Sequence, residues 1–232
     1  MNATSWDSQL SAFKETLSWS GNKLDIVLLA AGVGANSIAK WAKPKAQSAG
    51  ADPPKPSITT LEVNLIGVYY SMDLALFYFN QLADQQQDFR SQLVFIASLA
   101  GYGELALSAD YCASKFGVRA IWKTLRKSMH EFGNVQTNLL APTYIETPMT
   151  AEFVPLLKEA GMKVGVPKDV VAGAMRAICD PDVEGRAIAT CAGDEGKPGS
   201  ANFDLLDDLY DHDGGKALFE QCMAGVLGPV FG

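Results

Sequence analysis

Ser91-Gln92-Leu93-Val94-Phe95-Ile96-Ala97-Ser98 (SQLVFIAS) is the stretch on which the fold turns. Its centre is an unbroken apolar run without polar alternation. Both faces must then be covered, as in a parallel sheet flanked by helices. A similar apolar run lies upstream, Leu24 to Ala31, and further strands are read downstream over Val135 to Ala141 and Arg186 to Cys191. Helical segments separate them. Trp6, Leu10, Phe13 and Leu17 predict a helix over Trp6 to Trp19, with Thr4 or Ser5 as N-cap. Further helices are read over Ile58 to about Gln86, Ser108 to Phe132, Ala151 to Ala160, Lys168 to Cys179 and Gly215 to Leu227. Gly32 to Ser57, rich in Gly, Ala, Ser, Lys and Pro, reads as a loop carrying a short helix. Strand and helix alternate throughout, which predicts βαβ units and a parallel sheet in one α/β domain over 1–232.

Composition narrows the function. The 232 residues are 48% apolar and 19% charged, enough for a sizeable core, so disorder is excluded. A net charge of −7 argues against a nucleic-acid face. Each apolar run is interrupted well short of the roughly 20 residues of a membrane span. The opening MNATSWDSQL lacks the pattern of a secretory signal, so a soluble cytoplasmic protein is expected. Cys112, Cys179, Cys191 and Cys222 lie in no ligand spacing and there are two histidines, so no metal site is expected. The thiols read as small buried hydrophobes. Asp204, Asp207, Asp208, Asp211 and Asp213 read as a solvated acidic loop.

In open α/β sheets ligands gather at the C-terminal edge of the strands. Ala30-Ala31-Gly32, Ser98 and Pro142-Thr143 end three strands and should line one crevice. Tyr111 and Lys115, four apart on the next helix, share one face. An ammonium beside a phenol is expected to lower the phenol's pKa, fitting it for proton exchange with an alcohol or carbonyl. Ser98 would hydrogen-bond the same substrate oxygen.

Tyr111-Cys112-Ala113-Ser114-Lys115 resembles the YxxxK signature of the short-chain dehydrogenase/reductase family. Ala30-Ala31-Gly32 resembles its NAG tripeptide, Asn64 its helix asparagine and Ser98 its strand serine. Ala141-Pro142-Thr143 with Ile145 and Thr147-Pro148-Met149 resembles its PGxxxTPM segment. Order and spacing match from about Trp6 to Gly196. The resemblance implies a Rossmann-like sheet and hydride transfer between NAD or NADP and a small secondary alcohol or ketone, with a lipophilic substrate hinted by Phe153, Leu156, Leu157, Met162 and Phe219. It implies Tyr111 as acid/base, Lys115 as its tuner and ribose ligand, Ser98 as substrate-oxygen donor and Asn64 as holder of a relay water. Ile145 and Thr147 would contact the nicotinamide half, and Ala30 to Gly32 would pack near the adenosine ribose. Residues 149–166 and 200–232 would form the substrate side and lid, and the protein would be a homo-oligomer.

Departures from the pattern are as informative. The family opens with a strand and a TGxxxGxG turn that holds the pyrophosphate. The first helix here instead resembles the one after the family's third strand. The comparison implies an N-terminally truncated member lacking two βα units and a third strand, roughly 50–60 residues. Leu24 to Ala31 would become an exposed edge unless a partner chain or the chain's own ends cover it, or the true start lies upstream. Alternative expectations are a non-redox descendant using the Tyr/Lys/Ser crevice for proton transfer, or a non-catalytic partner subunit joined through that edge.

Overall fold

A computed structural model describes residues 1–36, 52, 54–85, 90–132, 134–194, 196–197 and 200–207. Helix α1 (Trp6–Ser20) begins where Ser5 Oγ accepts from the Ser8 amide, satisfying one of the free donors of the first turn. It ends at Gly21, whose φ of +68° lets the chain turn back. Strand β1 (Ile26–Leu29) follows. Helix α2 (Thr59–Leu61), a π-helical turn (Glu62–Ile66) and helix α3 (Gly67–Leu82) run on without a break. Then come β2 (Ser91–Ile96), a 3₁₀ turn (Leu99–Gly101), α4 (Ala109–Ser128), β3 (Val135–Pro142), α5 (Val154–Glu159), α6 (Pro167–Cys179), β4 (Ala187–Thr190) and β5 (Asn202–Asp204).

The sheet has the order β1-β2-β3-β4-β5. Its first four strands are parallel, in register through Leu28↔Val94, Val94↔Asn138 and Leu140↔Ile188. β5 closes it antiparallel, Phe203 opposite Ala189. Helices cover both faces. On one, Leu17, Val68, Phe79, Val118 and Trp122 pack with Leu29, Phe95 and Leu139. On the other, Val94, Leu140 and Ile188 meet Ala177 of α6. Each large side chain buried in this way contributes roughly 1.5–3 kcal/mol. A seam of amides runs through the second layer. Gln92 donates to Gln136 (3.0 Å), Gln136 to the Val183 carbonyl, and Asn138 to the carbonyls of Ala177 (2.8 Å) and Val183 (2.7 Å).

Several expectations need correction. Leu24 to Ala31 was expected to be covered on both faces, but only Ile26–Leu29 pairs, and Ile26 and Leu28 are 43% and 42% exposed. Leu29 points into the α1/α3 core, whereas Ile26 and Leu28 lie on the face of Val94, beyond the part covered by α6. Among the described residues, β2 is the strand paired with β1. β5 was not foreseen, because a three-residue strand carries no apolar run. The acidic cluster is not a solvated loop where it is described. Asp204 pairs with Arg186 at 2.6 Å, and the Asp207 side chain is 5% exposed. Cys191 is buried, but Cys179 is exposed. The short helix in 32–57, the helix at 215–227 and most of the 200–232 lid region lie outside the described residues. Among those described, no helix is long and apolar enough to cross a membrane and no cluster could hold a metal ion.

Candidate active site

The parallel strands deliver their C-terminal ends to one edge, and α4 passes beside it. Extended backbone at Ser98 ends β2 and caps the 3₁₀ turn, with Ser98 Oγ accepting from the Ala100 amide at 3.1 Å. The same hydroxyl donates to the Pro142 carbonyl at 3.3 Å, so the tips of β2 and β3 are tied together. Tyr111 and Lys115 stand one turn apart on α4, as their spacing predicts. The Lys115 ammonium is buried, 5% exposed, and donates to the Ile96 carbonyl at 3.0 Å. It lies 5.7 Å from the centre of the Tyr111 ring.

The electrostatics differ from the expectation. The Tyr111 phenol is raised above its ordinary pKa rather than lowered. Burial drives the rise, the adjoining Ser98 hydroxyl opposes it, and Cys112 and Tyr144 add to it. The ammonium, turned toward a backbone carbonyl, does not offset the desolvation of the phenol. Lys115 itself is lowered to about 8, because burial disfavours its charge. In this arrangement the site holds a protonated phenol beside a lysine that titrates at about pH 8 and is still charged at neutral pH.

Asn64 lies in the π-helical turn, fully buried. Its Oδ1 accepts from the Val33 amide (2.7 Å) and its Nδ2 donates to the Val33 carbonyl (2.9 Å) and to Ser114 Oγ (3.4 Å). The side chain thus clamps the loop after β1. Thr60 holds the same loop at the Gly34 carbonyl (3.1 Å), and Asp110 accepts from the Asn36 amide (2.9 Å). Gly32 sits where this loop meets the site. A β-carbon there would stand 3.5 Å from Asn64 Oδ1 and 3.9 Å from Lys115 Nζ. Gly32, Asn64, Lys115, Tyr111, Ser98 and Pro142 are therefore assembled at one edge.

The other residues singled out lie further out. Ala30 and Ala31 are exposed and border a recess with Val68 and Ser71. Thr143 extends β3 by donating its amide to the Thr190 carbonyl (2.9 Å). Ile145 is buried and bridges to Gly165, while the Thr147 amide donates to Thr150 Oγ1 at 3.0 Å. That turn packs back on the β1 loop, with Met149 lying 3.8 Å from where a β-carbon on Gly34 would be.

Two side chains, Tyr144 and Arg119, escaped the sequence reading. Tyr144 is half-buried and its phenol is close enough to influence Tyr111. Its position just past a strand tip was the available signal. Arg119 pairs with Asp207, whose carboxylate is buried, beside the Ser98 turn; the two are 88 residues apart in sequence, and no local pattern announces the pair.

Comparison with known proteins gives the family and the fold. A model of the short chain dehydrogenase family matches residues 1–156. The chain is 44% identical over 236 aligned residues to an NADP-dependent dehydrogenase, M3, of Phoma sp., covering 98% of this chain and 70% of the relative. It is 33% identical over 228 residues to a 5'-hydroxyaverantin dehydrogenase of Dothistroma septosporum, covering 94% of this chain and 72% of that one. Among solved structures, a 3-ketoacyl-(acyl-carrier-protein) reductase of Brucella melitensis complexed with NADH superposes with a TM-score of 0.66 at 22% identity, covering 83% of this chain and 75% of that chain. ElxO with NADP bound gives 0.65 at 16% identity, covering 82% and 74%, and these two matches speak to the fold. The chain belongs to the short-chain dehydrogenase family of oxidoreductases.

Proposed function

We propose that this protein moves a hydride between NADP(H) and a lipophilic secondary alcohol or its ketone, with Tyr111 as the proton donor and acceptor. The observation that carries the reading is the meeting of the Ser98 hydroxyl, the Tyr111 phenol and the buried Lys115 ammonium at the C-terminal edge of a parallel sheet. The nicotinamide, when bound, supplies or accepts the hydride. Ser98 holds the substrate oxygen, and Tyr111 passes a proton to it or takes one from it. A buried phenol of raised pKa stays protonated at neutral pH, which suits donation to a developing alkoxide.

The nicotinamide-ribose half of the cofactor fits the residues present. Lys115 offers three donors to one described acceptor, the Ile96 carbonyl, which leaves it able to hold ribose hydroxyls. Gly32 keeps the space beside that ammonium clear of a side chain. Ile145 and Thr147 would border the nicotinamide, and Ala30 and Ala31 the adenosine side. No TGxxxGxG pattern occurs within the 232 residues, so no residue here is assigned to the pyrophosphate. Preference for NADP is supported by relatives in Phoma sp. and Cochliobolus lunatus whose names specify it. A lipophilic, hydroxylated substrate is supported by the exposed Met149, Phe153 and Leu156 in the segment after β3 and by relatives named for 5'-hydroxyaverantin. Asn64 is a clamp on the Val33 backbone in this reading, since its side-chain amide is already engaged.

The exposed Ile66 of the π-helical turn and Tyr69 and Phe77 of α3, with Phe116 of α4, support pairing of two copies through these helices. The exposed Cys179 thiol supports a reducing, cytoplasmic compartment. The test is titration of the purified chain with NADPH and NADH by fluorescence, followed by oxidation of 1-tetralol with NADP⁺. Saturable binding, with turnover lost in Tyr111→Phe, is expected. No binding at millimolar cofactor overturns the hydride reading and leaves proton transfer without a dinucleotide.

A further inference from the structure

We infer that Asp207 is a positioning residue for the Ser98 hydroxyl, acting through Arg119 and Tyr102. The inference rests on the role given to Ser98 above.

Asp207 lies three residues beyond β5, yet its carboxylate is nearly buried and accepts from three side chains. Oδ2 accepts from the Tyr102 hydroxyl at 2.9 Å and from Arg119 Nε at 2.9 Å. Oδ1 accepts from Arg119 Nη2 at 2.7 Å and from Lys123 Nζ at 3.0 Å. The two Arg119 bonds make a two-point fork, a geometry that fixes orientation as well as charge. Arg126 adds a hold on the Asp207 backbone, donating to its carbonyl at 3.0 Å. Burial pushes this carboxyl up, but the Arg119, Lys123 and Tyr102 donors bring it below its ordinary range. It is therefore an anion at neutral pH.

What it holds leads to the candidate active site. Arg119 is four residues past Lys115 on α4, and its third donor, Nη1, reaches the Gly101 carbonyl at 3.3 Å. Its guanidinium also stacks over the Tyr102 ring at 4.0 Å. Gly101 and Tyr102 close the 3₁₀ turn that Ser98 caps. Asp207 thus secures two successive residues at the end of a turn whose beginning presents the Ser98 hydroxyl. Gly101 packs so closely on α4 that a β-carbon would lie 2.8 Å from the Lys115 carbonyl. The turn has little slack, and a shift at Gly101 is carried to Ser98 through the Ser98 Oγ···Ala100 and Ser98 carbonyl···Gly101 amide bonds.

A purely structural ion pair would give stability without touching the site. Two variants separate these cases. Asp207→Asn keeps the shape and removes the charge; Arg119→Lys keeps the charge and loses both the fork to Asp207 and the bond to Gly101. Amide hydrogen exchange on the full chain is read at Ala100 and Gly101 against Leu93 and Phe95 in β2. Exchange is expected to quicken about tenfold at the turn in both variants, while β2 keeps its protection. In 1-tetralol oxidation with NADP⁺, both variants are expected to lower kcat about tenfold with KM little changed. In a Ser98→Ala background that loss should vanish. Unchanged turn exchange, exchange rising equally in β2, or a kcat loss that persists in full without Ser98 overturns the proposal. Ser98→Ala alone is the control: if it leaves kcat intact, the role given to Ser98 fails. If it abolishes turnover while Asp207→Asn changes nothing, only the present inference fails.

Discussion

At the scale of single residues, the informative one is Lys115. Its folded pKa of about 8 lies below that of an unfolded lysine, so the fold disfavours the ammonium. Between pH 8 and about 10.4 the unfolded chain binds the extra proton, and stability rises with pH across that window. Below pH 8 both states carry the charge and the full penalty persists. Lys115→Met removes it. The variant should be more stable than the native protein at pH 7 by on the order of 1–3 kcal/mol, with the Ile96 carbonyl's lost donor trimming the gain. The advantage should shrink steadily from pH 8 to 10 in urea titrations, while turnover is lost at every pH. A companion expectation concerns the phenol. Tyr111→Phe should lower kcat by ~10²–10⁴-fold, the usual worth of a positioned acid/base, and shift the melting temperature by no more than a few degrees. Tyr111, Lys115 and Ser98 were legible in the sequence because short spacing on one helix and a strand tip are local signals. The direction of the phenol's pKa was not, because desolvation depends on everything packed around it.

Between the residue and the molecule stands the element, and here the site depends on loops tied to helices. The loop after β1 has no regular structure of its own, and Asn64 supplies its Val33 backbone with both a donor and an acceptor. Asn64→Ala would leave two polar backbone groups partly buried without those partners, at ~1–3 kcal/mol each. A loss of about 2–4 kcal/mol in urea unfolding is expected. Gly101→Ala should cost ~1–3 kcal/mol through overpacking, since the clashing atom is backbone of α4 and cannot swing aside. Strands were readable where they are buried. The Ser91 and Val135 strands were placed to within a residue or two, the first by its apolar centre and the second by the Gly133-Asn134 stop before it and Pro142 at its end, although its Gln136, Thr137 and Asn138 are buried polar residues. β1 was overextended, since the same apolar letters describe a strand whether or not a helix covers its second face. β5 was missed because Asn-Phe-Asp acquires its identity from β4, not from itself.

For the whole molecule, the open questions concern surfaces. Ile66, Tyr69 and Phe77 recur on one side of their helix, and Phe77 is 59% exposed. Such a stripe is costly to leave in water. Sedimentation of the native chain is expected to show a dimer, and Phe77→Glu to give monomer at the same concentration. The sequence showed the aromatic residues but not which of them face outward. Tyr78 and Phe79, immediate neighbours of Phe77, are buried in the core.

The π-helical turn at Glu62–Ile66 carries one consequence that reaches beyond catalysis. A π-turn amounts to a single surplus residue in an otherwise regular helix. Deleting one residue there would give a smoother and intrinsically better helix. It would also swing everything upstream by about 100° around the axis, since each residue advances a helix by that angle. Asn64 and Thr60 would be carried away from the β1 loop, while Val68, Phe79 and the rest of α3 stayed in the core. The irregularity thus separates two duties of one rod, and shortening it by a codon should leave a folded protein whose loop after β1 has lost its Asn64 and Thr60 ties.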